Sequence, residues 1–78
     1  MMITQEELGQ RLRQARERIG IKQDEVAIVL GLDATAIAKI EHGKRRVGAL
    51  ELMRLVALYN VAISDMLADP TEGCNPMS

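Results

Sequence analysis

From the N-terminus, apolar side chains first recur at Leu8, Leu12, Ala15 and Ile19, steps of three and four residues that align on one face of a helix. Thr4 stands at the N-cap position and Glu7 follows three residues on, the pattern of a capping box. A first helix is therefore expected to run to about Ile19, with Gly20 stopping it. Arg11, Arg13 and Arg18 fall off the apolar face and read as solvated. A second apolar set, Val26, Ala27 and Leu30, predicts a short helix from near Gln23 and leaves Ile28 and Val29 facing outward. Lys22 is a weak cap for it, but Asp24 and Glu25 place negative charge against its N-terminus. Only Gly31, Leu32 and Asp33 separate this helix from a third, in which Ile37 and Ile40 point inward and Ala34, Thr35, Ala36, Ala38 and Lys39 outward. So tight a connection joins two helices at a steep angle. Gly31 supplies a positive backbone angle, Leu32 plugs the corner, Asp33 caps the third helix and Gly43 ends it.

A loop from Lys44 to Gly48 leads to a fourth helix, expected from Ala49 to Tyr59 with Ala49, Leu52, Leu55, Val56 and Tyr59 inward. Leu50, Met53 and Ala57 form a second apolar stripe that a domain this small cannot also bury, which makes them candidates for a subunit interface. Asn60 is a left-handed terminator, after which Val61 and Ile63 pack back. Ser64 or the residue before it begins a short fifth helix carrying Met66 and Leu67. From there Asp69, Pro70 and the Gly, Pro and Ser beyond read as a tail, giving one domain over 1–69 and a flexible segment over 70–78. No stretch alternates as a half-buried strand would. The expected fold class is all-α, a compact five-helix domain.

Composition narrows the picture without changing it. A chain of 78 residues can enclose one small core, and with no Trp, no Phe and one Tyr that core must be aliphatic. Apolar residues at 47% against 27% charged exclude a disordered chain. No apolar run approaches the roughly 20 residues a membrane span needs, and MMITQEE has neither the basic nor the apolar part of a leader, so a cytoplasmic protein is expected. Cys74 is the lone cysteine and His42 the lone histidine. No metal site, no cofactor and no assembled active site follow from such a set, and an enzyme is not expected. Ten basic against eleven acidic side chains leave a net charge of −1, too little for a nonspecific nucleic-acid coat. Distribution matters more: Lys39, Lys44, Arg45 and Arg46 share one window opposed only by Glu41, a local basic edge on an acidic domain.

These features occur together in a specific register. A Gln opens the second helix, Ala and then Leu-Gly mark the turn, isoleucines punctuate the third helix, and Glu41-His42-Gly43 closes it. From about Leu8 to Leu67 the sequence GIKQDEVAIVLGLDATAIAKIEHGKRRV, continued by ALELMRLVALYNVAISDML, resembles the phage-repressor and Cro type helix-turn-helix domain of the xenobiotic-response-element family of transcriptional regulators. That resemblance implies a lambda-repressor-like fold whose second and third helices form the helix-turn-helix, with the third in the DNA major groove. The stretch ALELMRLVALYN also resembles the N-terminal domain of regulators fused to a zinc metallopeptidase. That likeness implies a short relative or the DNA-binding fragment of a longer regulator.

The resemblance also assigns roles. Arg16 matches an arginine that pairs across the fold with the glutamate ending the recognition helix, here Glu41. Gln23 matches a residue that holds a DNA phosphate together with the N-terminus behind it. Lys44, Arg45 and Arg46 match the loop that grips neighbouring phosphates. Base reading falls to Ala34, Thr35 and Lys39: Ala34 can touch a thymine methyl, Thr35 can do so or hydrogen-bond a base edge, and Lys39 can reach guanine O6 and N7. Long amides usual at such positions are missing here, so either selectivity rests on Thr35, Lys39 and DNA shape or the domain binds weakly. The expectation is a double-stranded DNA-binding regulator, a repressor acting as a homodimer on a palindromic operator. The alternative is a protein-interaction module of the same fold, antitoxin-like or an anti-repressor adaptor, that binds its partner through exposed Ile28, Val29, Leu50 and Met53.

Overall fold

The computed structural model of the chain describes residues 3–68. Within them the fold is five helices and no strand: α1 Gln5–Ile19, α2 Gln23–Leu30, α3 Ala34–Glu41, α4 Ala49–Tyr59 and α5 Ile63–Leu67. The expected tail over 70–78, with Cys74, lies outside the described residues, as does its boundary with the domain.

Local chemistry sets most helix ends. Thr4 Oγ1 accepts from the Glu7 N–H at 3.0 Å and the Glu7 carboxylate accepts from the Thr4 N–H at 3.2 Å, so two of the donors orphaned at the start of α1 are satisfied. At α2 the Lys22 side chain caps nothing; the Glu25 carboxylate reaches back to the Lys22 N–H at 2.8 Å. Gly31 then turns the chain at φ +70°, and the Leu32 N–H returns to the Ala27 carbonyl at 2.8 Å. Asp33 occupies the N-cap of α3, but its side chain makes no capping hydrogen bond; its carbonyl receives the Ala36 and Ile37 N–H groups, and the carboxylate contributes only charge near the helix end.

The core gathers where α1, α2, α3 and α4 meet, around the fully buried Leu12, Val26, Ile37, Leu55 and Tyr59. The third helix packs against both α1 and α2, while α4 and α5 close the far side of α1. Gly9 makes the α1–α3 approach close: a Cβ there would lie 2.7 Å from the Glu41 carbonyl oxygen and nearer still to that of Ile40. Nothing in the apolar periodicity announces that requirement at Gly9. Gly43, at φ +75°, meets the other end of α1, where a Cβ would come within 2.7 Å of the Glu6 Cα.

Expectations for α1, α4 and α5 need correction. Ile19, Ala49 and Ile63, each at an end of its helix, are exposed rather than inward, because no neighbouring element covers these positions. Arg11 is not simply solvated: its Nη1 donates to the carbonyls of Asp65, Met66 and Ala68 at 3.2, 3.1 and 2.7 Å, satisfying acceptors at the end of α5.

Candidate nucleic-acid interface

Along α3, Thr35, Lys39 and His42 are exposed at steps of four and three residues and form one outward stripe. Ala34, Ala36 and Ala38, expected to face outward, are half-buried, so the side chains that project from this surface are fewer than the sequence implied. His42 turns back to the Ala38 carbonyl through Nδ1 at 2.8 Å. A carbonyl only accepts, so Nδ1 carries the proton and Nε2 is the remaining polar atom of the ring.

Behind the stripe, Glu41 is buried and accepts three hydrogen bonds. Arg16 donates to it from Nε at 2.7 Å and from Nη2 at 3.2 Å, and the Gln23 amide adds a third hydrogen bond at 2.9 Å. Arg16 Nη1 meanwhile donates to the Ile21 carbonyl at 2.9 Å, so one guanidinium ties α1 to both the end of α3 and the loop before α2. Hydrogen bonding to Glu41 raises the Arg16 pKa further above its ordinary value, against the opposing pull of burial. Tyr59 lies near the same charges. Burial pushes its phenol up to about 12, Glu41 adds to the effect and Arg16 offsets part of it.

Gln23 is thus only partly available for the phosphate role that resemblance assigned it: one amide N–H is committed to Glu41. The N-terminus of α2 nevertheless opens onto a shallow polar concavity of about 430 Å³, lined by Arg13, Arg16, Lys22, Gln23, Asp24, Glu41 and His42. Arg13 and Lys22 were not among the expected interface residues. Helical spacing alone could have found Arg13, which lies three residues before Arg16.

In the loop after α3, Lys44 and Arg46 are exposed, whereas Arg45 is half-buried and held. Its Nη1 and Nη2 donate to Glu51 Oε1 and Oε2 at 3.0 and 3.2 Å. The same Glu51 accepts the Gly48 N–H at 3.1 Å at the start of α4. The guanidinium and that N–H hold the Glu51 carboxyl below its ordinary range, and the Arg45 pKa is raised in return. Sequence reasoning missed Glu51, although a glutamate three residues after Gly48 is a recognisable N-terminal capping signal. On α4, Leu50, Met53 and Ala57 are all exposed, and Ile28 on α2 is 79% exposed. Among the described residues no group of three or more His, Cys, Asp or Glu side chains is placed to hold a metal ion, and no helix is long and apolar enough to cross a membrane.

Residues 7–68 match the family model described as a helix-turn-helix domain. The chain belongs to the helix-turn-helix family. That family comprises DNA-binding transcription regulators rather than enzymes. Uncharacterised HTH-type transcriptional regulators of Sinorhizobium medicae and Rhizobium meliloti are each 34% identical to the chain over 67 residues, which is 85% of this chain and 48% of theirs. This helix-turn-helix chain therefore spans about half the length of the curated relatives it matches. Among solved structures it resembles the restriction-modification controller protein C.AhdI from Aeromonas hydrophila, with a TM-score of 0.72 and 27% identity over 80% of this chain and 94% of that one. The P22 c2 repressor, solved with a synthetic operator, shares the fold at a TM-score of 0.71 and 21% identity, covering 78% of this chain and 92% of its own.

Proposed function

We propose that this domain binds a palindromic double-stranded DNA operator as a homodimer and represses transcription by occluding a promoter. The observation that carries the reading is the exposed stripe of Thr35 and Lys39 on α3, which His42 continues to the polar concavity at the α2 N-terminus. Thr35 and Lys39 supply the base-edge contacts and Ala34 at most a methyl contact. Gln23, through its second amide N–H and the helix end behind it, takes one phosphate; Lys44 and Arg46 take others. Leu50, Met53 and Ala57 pair two copies so that the α3 helices face half-sites one turn apart, about 34 Å. The C.AhdI controller and the operator-bound P22 c2 repressor support the reading by likeness.

Selection from a random duplex pool, with the mass of the bound species measured, tests it. An enriched two-fold site bound by two chains is expected, and removing Lys44 or Arg46 should flatten the salt dependence by about 0.9 per lost phosphate contact. Exposed Ile28 and Val29 favour a second reading, a protein-interaction module of the same fold. Failure to enrich any sequence selects it.

A further inference from the structure

The geometry points to Arg45 as a positioning residue that fastens the loop between α3 and α4, leaving its neighbours Lys44 and Arg46 to meet the DNA backbone. The assignment rests on the DNA-binding reading above. Resemblance groups the three basic residues as equivalents, but their surroundings separate them.

The loop is pinned at both ends through Arg45. On one side the Lys44 and Arg45 N–H groups both return to the Lys39 carbonyl, at 2.8 and 3.2 Å, so the loop leaves the recognition helix from a defined point. On the other side the Arg45 guanidinium forks onto both oxygens of Glu51, whose Oε1 also closes the Gly48 N–H at the start of α4. Arg45 therefore bridges the end of α3 and the first turn of α4. Val47, packed partly against the core, holds the middle of the span, while Lys44 and Arg46 project from it.

The chemistry of the fork argues the same way. A carboxylate and a phosphate offer a guanidinium the same bidentate geometry and the same sign of charge. For Arg45 to present this same fork to a phosphate it would have to release Glu51, leaving that carboxylate facing the incoming anion with its main counter-charge removed. Lys44 and Arg46 carry no such penalty, since among the described residues neither has an acidic partner. Fixing the loop also fixes how far those two cations stand from the base-reading stripe of α3, which orients the protein on the duplex.

Binding of the selected operator by full-chain Arg45→Lys, Arg45→Ala, Glu51→Gln and the double variant Arg45→Ala/Glu51→Gln tests the assignment. Measurement is at several salt concentrations, with circular dichroism reporting folding. Glu51→Gln keeps an oxygen for the Gly48 N–H and removes only the counter-charge. A positioning role predicts that all four bind about fivefold more weakly than the parent, with no further loss in the double variant and an unchanged salt slope. Arg45→Lys, which keeps the charge but not the fork, should fail to rescue. If Glu51→Gln instead tightens binding and steepens the salt slope, or if Arg45→Lys binds like the parent, Arg45 is a phosphate ligand and the assignment is overturned. A parent that enriches no operator overturns the DNA reading itself, and this assignment with it.

Discussion

Two bidentate arginine–glutamate pairs lie near the end of α3, and they differ mainly in what surrounds them. Arg16 and Glu41 have side chains only 11% and 2% exposed and join α1 to α3 from behind. Arg45 and Glu51 are 34% and 27% exposed and join the following loop to α4 at the surface. For the buried pair little solvent reaches either group, so each charge depends on the other for its main compensation, beside one neutral hydrogen bond each from the Gln23 amide and to the Ile21 carbonyl. For the surface pair water is at hand and salt screens the attraction, so its worth lies in where it holds the chain. The same two residue types thus serve folding in one place and presentation in the other.

The largest effect should come from splitting the buried pair. Glu41→Ala leaves the Arg16 guanidinium with the Ile21 carbonyl alone, and Arg16→Ala leaves Glu41 with only the Gln23 amide. Either substitution should cost about 3–5 kcal/mol in urea unfolding, whereas Arg16→Met combined with Glu41→Leu should cost far less, because no charge is then stranded. A domain of this size has a total of roughly 5–15 kcal/mol to lose, so the single variants should be partly unfolded at mild temperature. If the two single variants and the double variant all lose little, the contrast between the pairs disappears.

A second effect sharpens the contrast through Tyr59, which is buried beside the same hub. Its folded pKa, about 12, lies above the ordinary 10.0, so between these values the unfolded chain releases a proton that the folded chain keeps. The unfolded state binds fewer protons there, and stability must fall as pH rises from about 10 towards 12, by about 2–3 kcal/mol in all. Tyr59→Phe should remove that dependence. Because the chain has one tyrosine and no tryptophan, tyrosinate absorbance follows the group directly. Titration near 10 while the helical signal persists would mean that the hub is open to water.

Many helix ends made by neighbours in the chain were legible in the sequence, although the Glu51 cap at the start of α4 was passed over. Thr4 with Glu7, and Gly31 and Asn60 at positive φ, act over a few residues and set the start of α1 and the ends of α2 and α4. The inner faces followed the 3.6-residue period for the same reason. Contacts that local spacing cannot encode were missed. Arg11 meets acceptors 54 to 57 residues away, and the tightness at Gly9 depends on carbonyls of a helix some thirty residues on. Ile19 and Ala49 fit the apolar period, and Ile63 was expected to pack back, but no neighbouring element covers them, which periodicity alone does not reveal. At the interface, charge type identified the basic loop, but the partner decides what each cation is free to do. Lys44, Arg45 and Arg46 look alike in sequence, and only the fold brings Glu51 to Arg45.

The smallest effect concerns a third pair, which tests the trend at its exposed limit. Arg13 Nε meets Glu17 Oε2 at 3.1 Å one turn along α1, with both side chains 52% exposed. The distance is as good as that of the surface clasp, so distance alone would predict a similar importance. Three physical terms work against it: solvent competes for both groups, two long side chains lose rotamer freedom, and the order is unfavourable, with the cation N-terminal to the anion and the glutamate near the negative end of the helix dipole. Arg13→Ala should therefore change stability by about 0.3 kcal/mol or less, a shift in Tm of roughly 2 °C for a domain of this size. That difference should shrink in high salt. Arg13 also lines the concavity at the α2 N-terminus, so the same variant separates stability from binding: operator affinity can fall while the melting curve stays put. A loss above about 1 kcal/mol would show that exposure is not what orders these pairs.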